Sequence, residues 1–117
     1  MRFEARELKP YAEPITDDEL QEGKAYFQIN YTDEEMLHPI METLVFIGRN
    51  LEKNDSNHLY FQDIDSYSAG RRYENESERD SLDIWGYEVG QTNHIFDFEH
   101  ALEQLMLCSL RRASAGL

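Results

Sequence analysis

METLVFIGRNLEKNDSNHLYFQ, residues 41–62, is the stretch on which the fold expectation turns. From Leu44 to Ile47 it is apolar at every position and rich in β-branched and aromatic residues, the pattern of a strand covered on both faces. LEKNDSN is polar and turn-forming, and HLYFQ resumes an extended pattern, so residues 40–62 read as an antiparallel hairpin with a loop of several residues.

Working outward, KAYFQINY (24–31) alternates Ala25, Phe27, Ile29 and Tyr31 with Lys24, Tyr26, Gln28 and Asn30, a strand with one core face and one amphipathic face. Before it, Thr16 and Glu19 have the spacing of a capping box, Ile15 faces Leu20 as a hydrophobic staple, and Gly23 ends the turn. Pro10 and Pro14 keep the preceding chain extended, so residues 1–23 are expected to form a strap with this capped turn, anchored by Phe3, Leu8 and Tyr11. Tyr-Phe-Gln occurs at 26–28 and again at 60–62, but the flanking residues do not align, and the repeat is coincidence.

Downstream, DIDSYSAG reads as one helical turn with Asp63 at its cap and Gly70 at its end. Residues 73–83 are nearly all polar and are expected to be a solvated, mobile excursion; DIWGYEVG is then a further strand, closing a set that spans 24–92. A carboxy-terminal helix is assigned to 94–112, with Phe98, Leu102, Leu105, Met106 and Leu110 as its core stripe, acids in its first turn and Arg111 and Arg112 in its last. The pattern leaves open whether TNHIF (92–96) is the first turn of that helix or a last short strand, and residues 113–117 read as a frayed tail. The sum is an α+β chain of one domain: a strongly bent antiparallel sheet of four to five strands, with a small SH3-like barrel as its closed form, and a C-terminal amphipathic helix.

With 117 residues, 40% apolar and 12% aromatic, the chain has enough apolar surface for one core. Its 24 acidic against 11 basic residues give a net charge of −13, which repels phosphate backbones and anionic headgroups and so argues against nucleic acid and membrane as partners. The same field attracts a basic protein. No stretch has the length of a secretory or spanning segment, and Cys108, the lone cysteine, suits a reducing compartment, so the cytoplasm is the expected location. Cys108 itself, among Leu105, Met106, Leu107 and Leu110, reads as a buried inert thiol.

Several stretches carry residue types that chemistry uses. His94, Asp97 and His100 lie three apart, neighbours on a helix, and are the candidate metal ligands, with His38 or His58 as further donors; a divalent metal is the only cofactor considered, and none is expected. DEEMLHP offers Asp33, Glu34, Glu35 and His38, and DID offers Asp63 and Asp65, but paired carboxylates do acid and base work only where burial drives their pKa values apart. Counting a calcium loop from Asp63 puts Ser68 where the bend glycine belongs. No Gly-rich phosphate loop and no nucleophile elbow is present.

Tyr26, Tyr60, Tyr67, Tyr73, Trp85 and Tyr87 exceed what one small core needs and carry polar tips suited to an interface. Three functional classes follow. The first is a non-catalytic interaction or regulatory protein, of the immunity-inhibitor kind, meeting a basic partner through Asp33, Glu34, Glu35, Tyr60, Tyr67, Tyr73 and Trp85. The second is a small metal-binding or hydrolytic domain built on His94, Asp97 and His100. The third is a small-ligand-binding sheet or barrel. Self-association is not readable from the pattern.

Overall fold

The computed structural model describes residues 12–117, so the anchors expected at Phe3, Leu8 and Tyr11 lie outside the described residues. Five strands, β1 (Ala25–Tyr31), β2 (Pro39–Arg49), β3 (His58–Asp63), β4 (Ile84–Glu88) and β5 (Ile95–Phe96), form one sheet in the order β4-β3-β2-β1-β5, with every neighbouring pair antiparallel. Helix α1 (Ile64–Ser68) follows β3, and helix α2 (Phe98–Ser114) ends the chain. The fold is α+β, as the patterning predicts.

β2 is central, and its apolar run explains why: Leu44, Val45 and Phe46 are at most 1% exposed, so both faces of the strand are covered. On one face Leu44 pairs with Tyr26 and Phe46 with Phe61, which itself pairs with Trp85; Ile15 and Leu20 close that cluster from outside the sheet. On the other face Ile29 and Phe96 pack with Ala12 and Ala101. β1 therefore serves two layers, and Tyr26, expected on its amphipathic face, is core. Full burial of each such Leu or Phe contributes about 1.5–3 kcal/mol.

The sheet bends strongly but does not close into a barrel. Its curvature brings Gln28 Nε2 of β1 within 2.6 Å of the Tyr87 hydroxyl on β4, although β2 and β3 lie between. A bulge between Phe46 and Gly48 supports the bend; Gly48 has φ +146°, and a Cβ there would meet Leu51 Cδ2 at 3.0 Å. Closure fails because β5 is two residues long and β4 pairs only with β3, leaving the outer strands as opposite edges. The segment around the 3-10 turn Asp17–Glu19 spans the opening instead. Ile15 N–H donates to Ile95 O at 2.9 Å, and the Asp17 carboxylate accepts from Gly90 N–H and the Thr92 hydroxyl, each at 2.8 Å.

Local signals near the turns hold. Glu19 returns to the Thr16 N–H at 3.3 Å, Gly23 and Gly70 take positive φ, and Asp63 caps α1 through Ser66 N–H at 2.9 Å. Of TNHIF only Ile95–Phe96 are strand, β5, and the helix expected over 94–112 runs instead over Phe98–Ser114, capped by Asp97, because the chain is extended through 95–96. Residues 73–83 are polar as read, but Glu76–Ser81 is a 3-10 turn tied back by Glu78, which accepts from Arg72 N–H at 2.9 Å.

The helix departs most from its expected packing. Of the predicted core stripe, Phe98 is 65%, Leu102 45%, Met106 51% and Leu110 58% exposed, while the residues buried are Ala101 and Cys108. Only Asp97 separates β5 from α2, so the direction in which the strand ends sets the helix phase; Ala101 and Cys108 are buried, and Leu105, the one member of the expected stripe that packs on the sheet cluster, is joined there by Leu107. Phe46→Ala is accordingly expected to cost about 3–5 kcal/mol in urea denaturation, whereas Leu110→Ala should stay within about 0.5 kcal/mol of the parent. A large loss at Leu110 would place that face of α2 in the core after all.

Candidate functional site

The surface charge is shaped by where the arginines go. Arg72 donates to Tyr67 O and Arg71 O, both at 2.8 Å, and lies 3.7 Å over the Tyr67 ring. Arg79 Nε donates to Tyr73 O at 2.7 Å and lies 4.5 Å over that ring, and Arg49 reaches Asp17 O and the ring of Phe46. At the end of α2, Arg111 Nε donates to Met36 O at 3.0 Å and Arg112 to Leu37 O at 2.7 Å. The described carboxylate pairs are with histidines instead: Asp33 with His38, Asp55 with His58 and Asp97 with His100, while Glu13, Glu99 and Glu103 are also engaged. A guanidinium bond to a carbonyl is charge-assisted, and an exposed ion pair contributes only about 0–1 kcal/mol.

The acidic loop divides its carboxylates between two tasks. Asp33 turns inward, accepting from Leu37 N–H and His38 N–H, each at 2.9 Å, and approaching His38 Nδ1 at 3.3 Å. Partial burial works to raise its pKa, but these hydrogen bonds and the His38 charge outweigh it and hold the carboxyl below its usual range. Glu34 and Glu35 are exposed. Because Arg111 and Arg112 hold the carbonyls of Met36 and Leu37, the end of α2 fixes where the two glutamates stand.

The candidate interface aromatics fall into three places. His58, Tyr60 and Tyr73 stack, with successive centroids 6.5 Å apart and planes within 27°. Their phenols are committed to acids of the β2–β3 loop, Tyr60 to Asp55 and Tyr73 to Glu52. Donation to the Asp55 carboxylate, then burial and the surrounding negative charge, push the Tyr60 pKa up to about 12, and the same bond lowers Asp55. Tyr67 stands apart on α1 beneath Arg72, and Trp85 packs against the core cluster of Phe46 and Phe61. One platform of all four is not formed, since β-strand alternation sends Tyr60 and Trp85 to opposite faces.

The histidine trio is also divided. Asp97 accepts from His100 N–H at 2.9 Å, with His100 Nδ1 at 2.8 Å from the same oxygen, whereas His94 precedes β5, exposed. The extended chain through Ile95 and Phe96 removes the helical spacing that would have joined them. Among the described residues, no group of three or more His, Cys, Asp or Glu side chains is placed to hold a metal ion. Asp63, the other acid candidate, is spent on Ser66 N–H and on Asp83 N–H at 3.0 Å; burial opposes its ionisation, and these bonds prevail to lower its pKa. Asp65 is exposed, so the two do not form an acid and base pair.

Sequence reasoning passed over two features. Gln62 is fully buried, with Nε2 donating to Ser66 Oγ and Arg71 O while Oε1 accepts from no described group. A cleft of about 490 Å³ lies between α2, β1 and the approach to β5, with Tyr31, His94, Gln104 and Arg111 on its walls. Neither has a local signal, because their parts are far apart in the chain. Comparison with protein-family models, curated proteins and solved structures finds no match for this chain.

The Tyr60 phenol makes a pH prediction. Its pKa in the fold is raised above the 10.0 of a free tyrosine, so the bond contributes stability that is full below about pH 10 and lost as pH rises towards 12. Phenolate absorbance should show one component titrating near 12 that is missing in Tyr60→Phe. On the acid side, Asp33, Asp55 and Asp63 are lowered, so their contribution is present above the unfolded carboxylate range and disappears as pH falls through their folded values. Asp63→Ala should cost about 1–2 kcal/mol at neutral pH and flatten the acid limb of the stability curve.

Proposed function

We propose that the chain is a non-catalytic protein interaction or regulatory domain, of the immunity-inhibitor kind, that meets a basic protein partner through its carboxylate surface. The observation that carries this reading is the arginine allocation in a chain of net charge −13: Arg49, Arg72, Arg79, Arg111 and Arg112 are turned to carbonyls and rings, so none of them holds a described carboxylate at contact distance. A field of that sign speeds encounter with a basic surface and disfavours phosphate-bearing partners.

Glu34 and Glu35 support a local contact. They are exposed on a loop whose backbone is held by Asp33 and by the end of α2, so presenting them to a partner costs little ordering. The stacked Tyr60 and Tyr73 add a half-buried aromatic surface elsewhere on the sheet. Among the described residues no helix is long and apolar enough to cross a membrane. Cys108 is free and buried, and on this reading the chain works in the cytoplasm.

The test is capture from the host's own extract at low and high salt, with quantified affinity for whatever saturates. Glu34→Lys with Glu35→Lys should weaken that partner by about tenfold or more, while Asp18→Lys with Asp80→Lys, the same change in net charge, should weaken it much less. Equal effects would assign the attraction to net charge alone. Retention unchanged by salt and by both pairs would end the reading.

A further inference from the structure

We propose that the cleft between α2 and the sheet edge of β1 and β5 binds a small organic carboxylate, its charged end on Arg111 and Tyr31 and its apolar body against Leu107 and Met36. The polar clefts elsewhere carry Glu35, or Glu22 with Glu74, on their walls. This one, about 490 Å³, has no carboxylate among its described lining residues, in a chain with 24 acidic residues. Its size is that of a site for a small molecule.

The donors point to an anion. The Tyr31 hydroxyl oxygen accepts from Gln104 Nε2 at 2.8 Å and from Arg111 at 3.0 Å, which occupies both lone pairs and leaves the phenolic hydrogen to donate. No described side chain or carbonyl accepts it. Arg111 spends Nε on Met36 O and one terminal nitrogen on Tyr31, and its guanidinium has no carboxylate partner among the described residues, so on this proposal its remaining N–H groups meet the ligand. His94 and Asn93 line the mouth and add polar groups at the rim.

The apolar part of the assignment rests on Leu107, half-buried and packed against the Ile29 and Ala101 cluster, and on Met36, 43% exposed on the same cleft, while Phe96 is already buried. A planar carboxylate suits a guanidinium fork, and an apolar body attached to it would displace water from Leu107 and Met36. Arg111 and Gln104 are seven positions apart on α2, two turns along one face, and Tyr31 holds both, so the donor set is rigid before a ligand arrives. The site does not depend on a protein partner.

Amide chemical shifts of the full chain, titrated separately with benzoate, neutral benzamide and inorganic phosphate, test it. Benzoate should give saturable shifts confined to the neighbourhoods of Tyr31, His94 to Phe96, and Gln104 to Arg111, with benzamide at least about tenfold weaker. Tyr31→Phe, which removes only the hydroxyl, should weaken benzoate several-fold, and Arg111→Gln should abolish saturation. Should Arg111→Gln disturb the 32–38 loop, Tyr31→Phe and Gln104→Leu still decide the question, since both leave Arg111 bonded to Met36. Shifts that are equal for benzoate and benzamide, saturation by phosphate alone, or benzoate binding unaffected in Tyr31→Phe and Gln104→Leu would each overturn the assignment.

Discussion

Burial of β2 on both faces is the constraint from which the remaining architecture follows. Leu44 and Phe46 point to one side and Val45 to the other, none of them more than 1% exposed, so the sheet needs a cover on each face. On the inner side of the bend the cover is the segment bearing Ile15 and Leu20; on the outer side α2 covers β1 and β5 while α1 sits over β2 and β3. The bulge at Gly48 lets the sheet curve far enough for Gln28 to reach Tyr87, and that curvature makes a two-residue strap contact sufficient to span the open side.

Electrostatics are organised by the same geometry. Loops around a bent sheet leave carbonyls without ladder partners, and the arginines of this acidic chain satisfy several of them: Arg72 at the end of α1, Arg111 and Arg112 at the β1–β2 loop. Rings beneath the guanidinium groups of Arg72, Arg79 and Arg111 add to the preference. The surface carboxylates are thereby left without contacts to these arginines, and the cleft beside Arg111 has no carboxylate among its described lining residues.

Much of this was legible in the chain because it depends on neighbours in sequence. The apolar run of β2, the alternation of β1, the capped turns at Thr16 and Asp63 and the hairpin at residues 40–62 are local patterns, and each element forms where its pattern lies. The strand at 95–96 was half-legible: two residues between a loop and a capped helix are too few for a period to show. The candidate sites were less legible. His94 and Asp97 read as neighbours only if helical, and Tyr60, Tyr67, Tyr73 and Trp85 read as one surface only if they share a face.

The sequence by itself determined the class of fold, the identity of the central strand, the caps and the net charge, since these follow from side-chain periodicity, short-range hydrogen bonding and composition. Tertiary structure alone decided that the sheet stays open, that α2 turns Ala101 and Cys108 inward and leaves Phe98 and Leu110 outside, and that Tyr31, Gln104 and Arg111 meet. The physical reason is the same in each case: the outcome depends on the angle at which one element leaves another, at Asp97 above all, and no local pattern of residues encodes an angle.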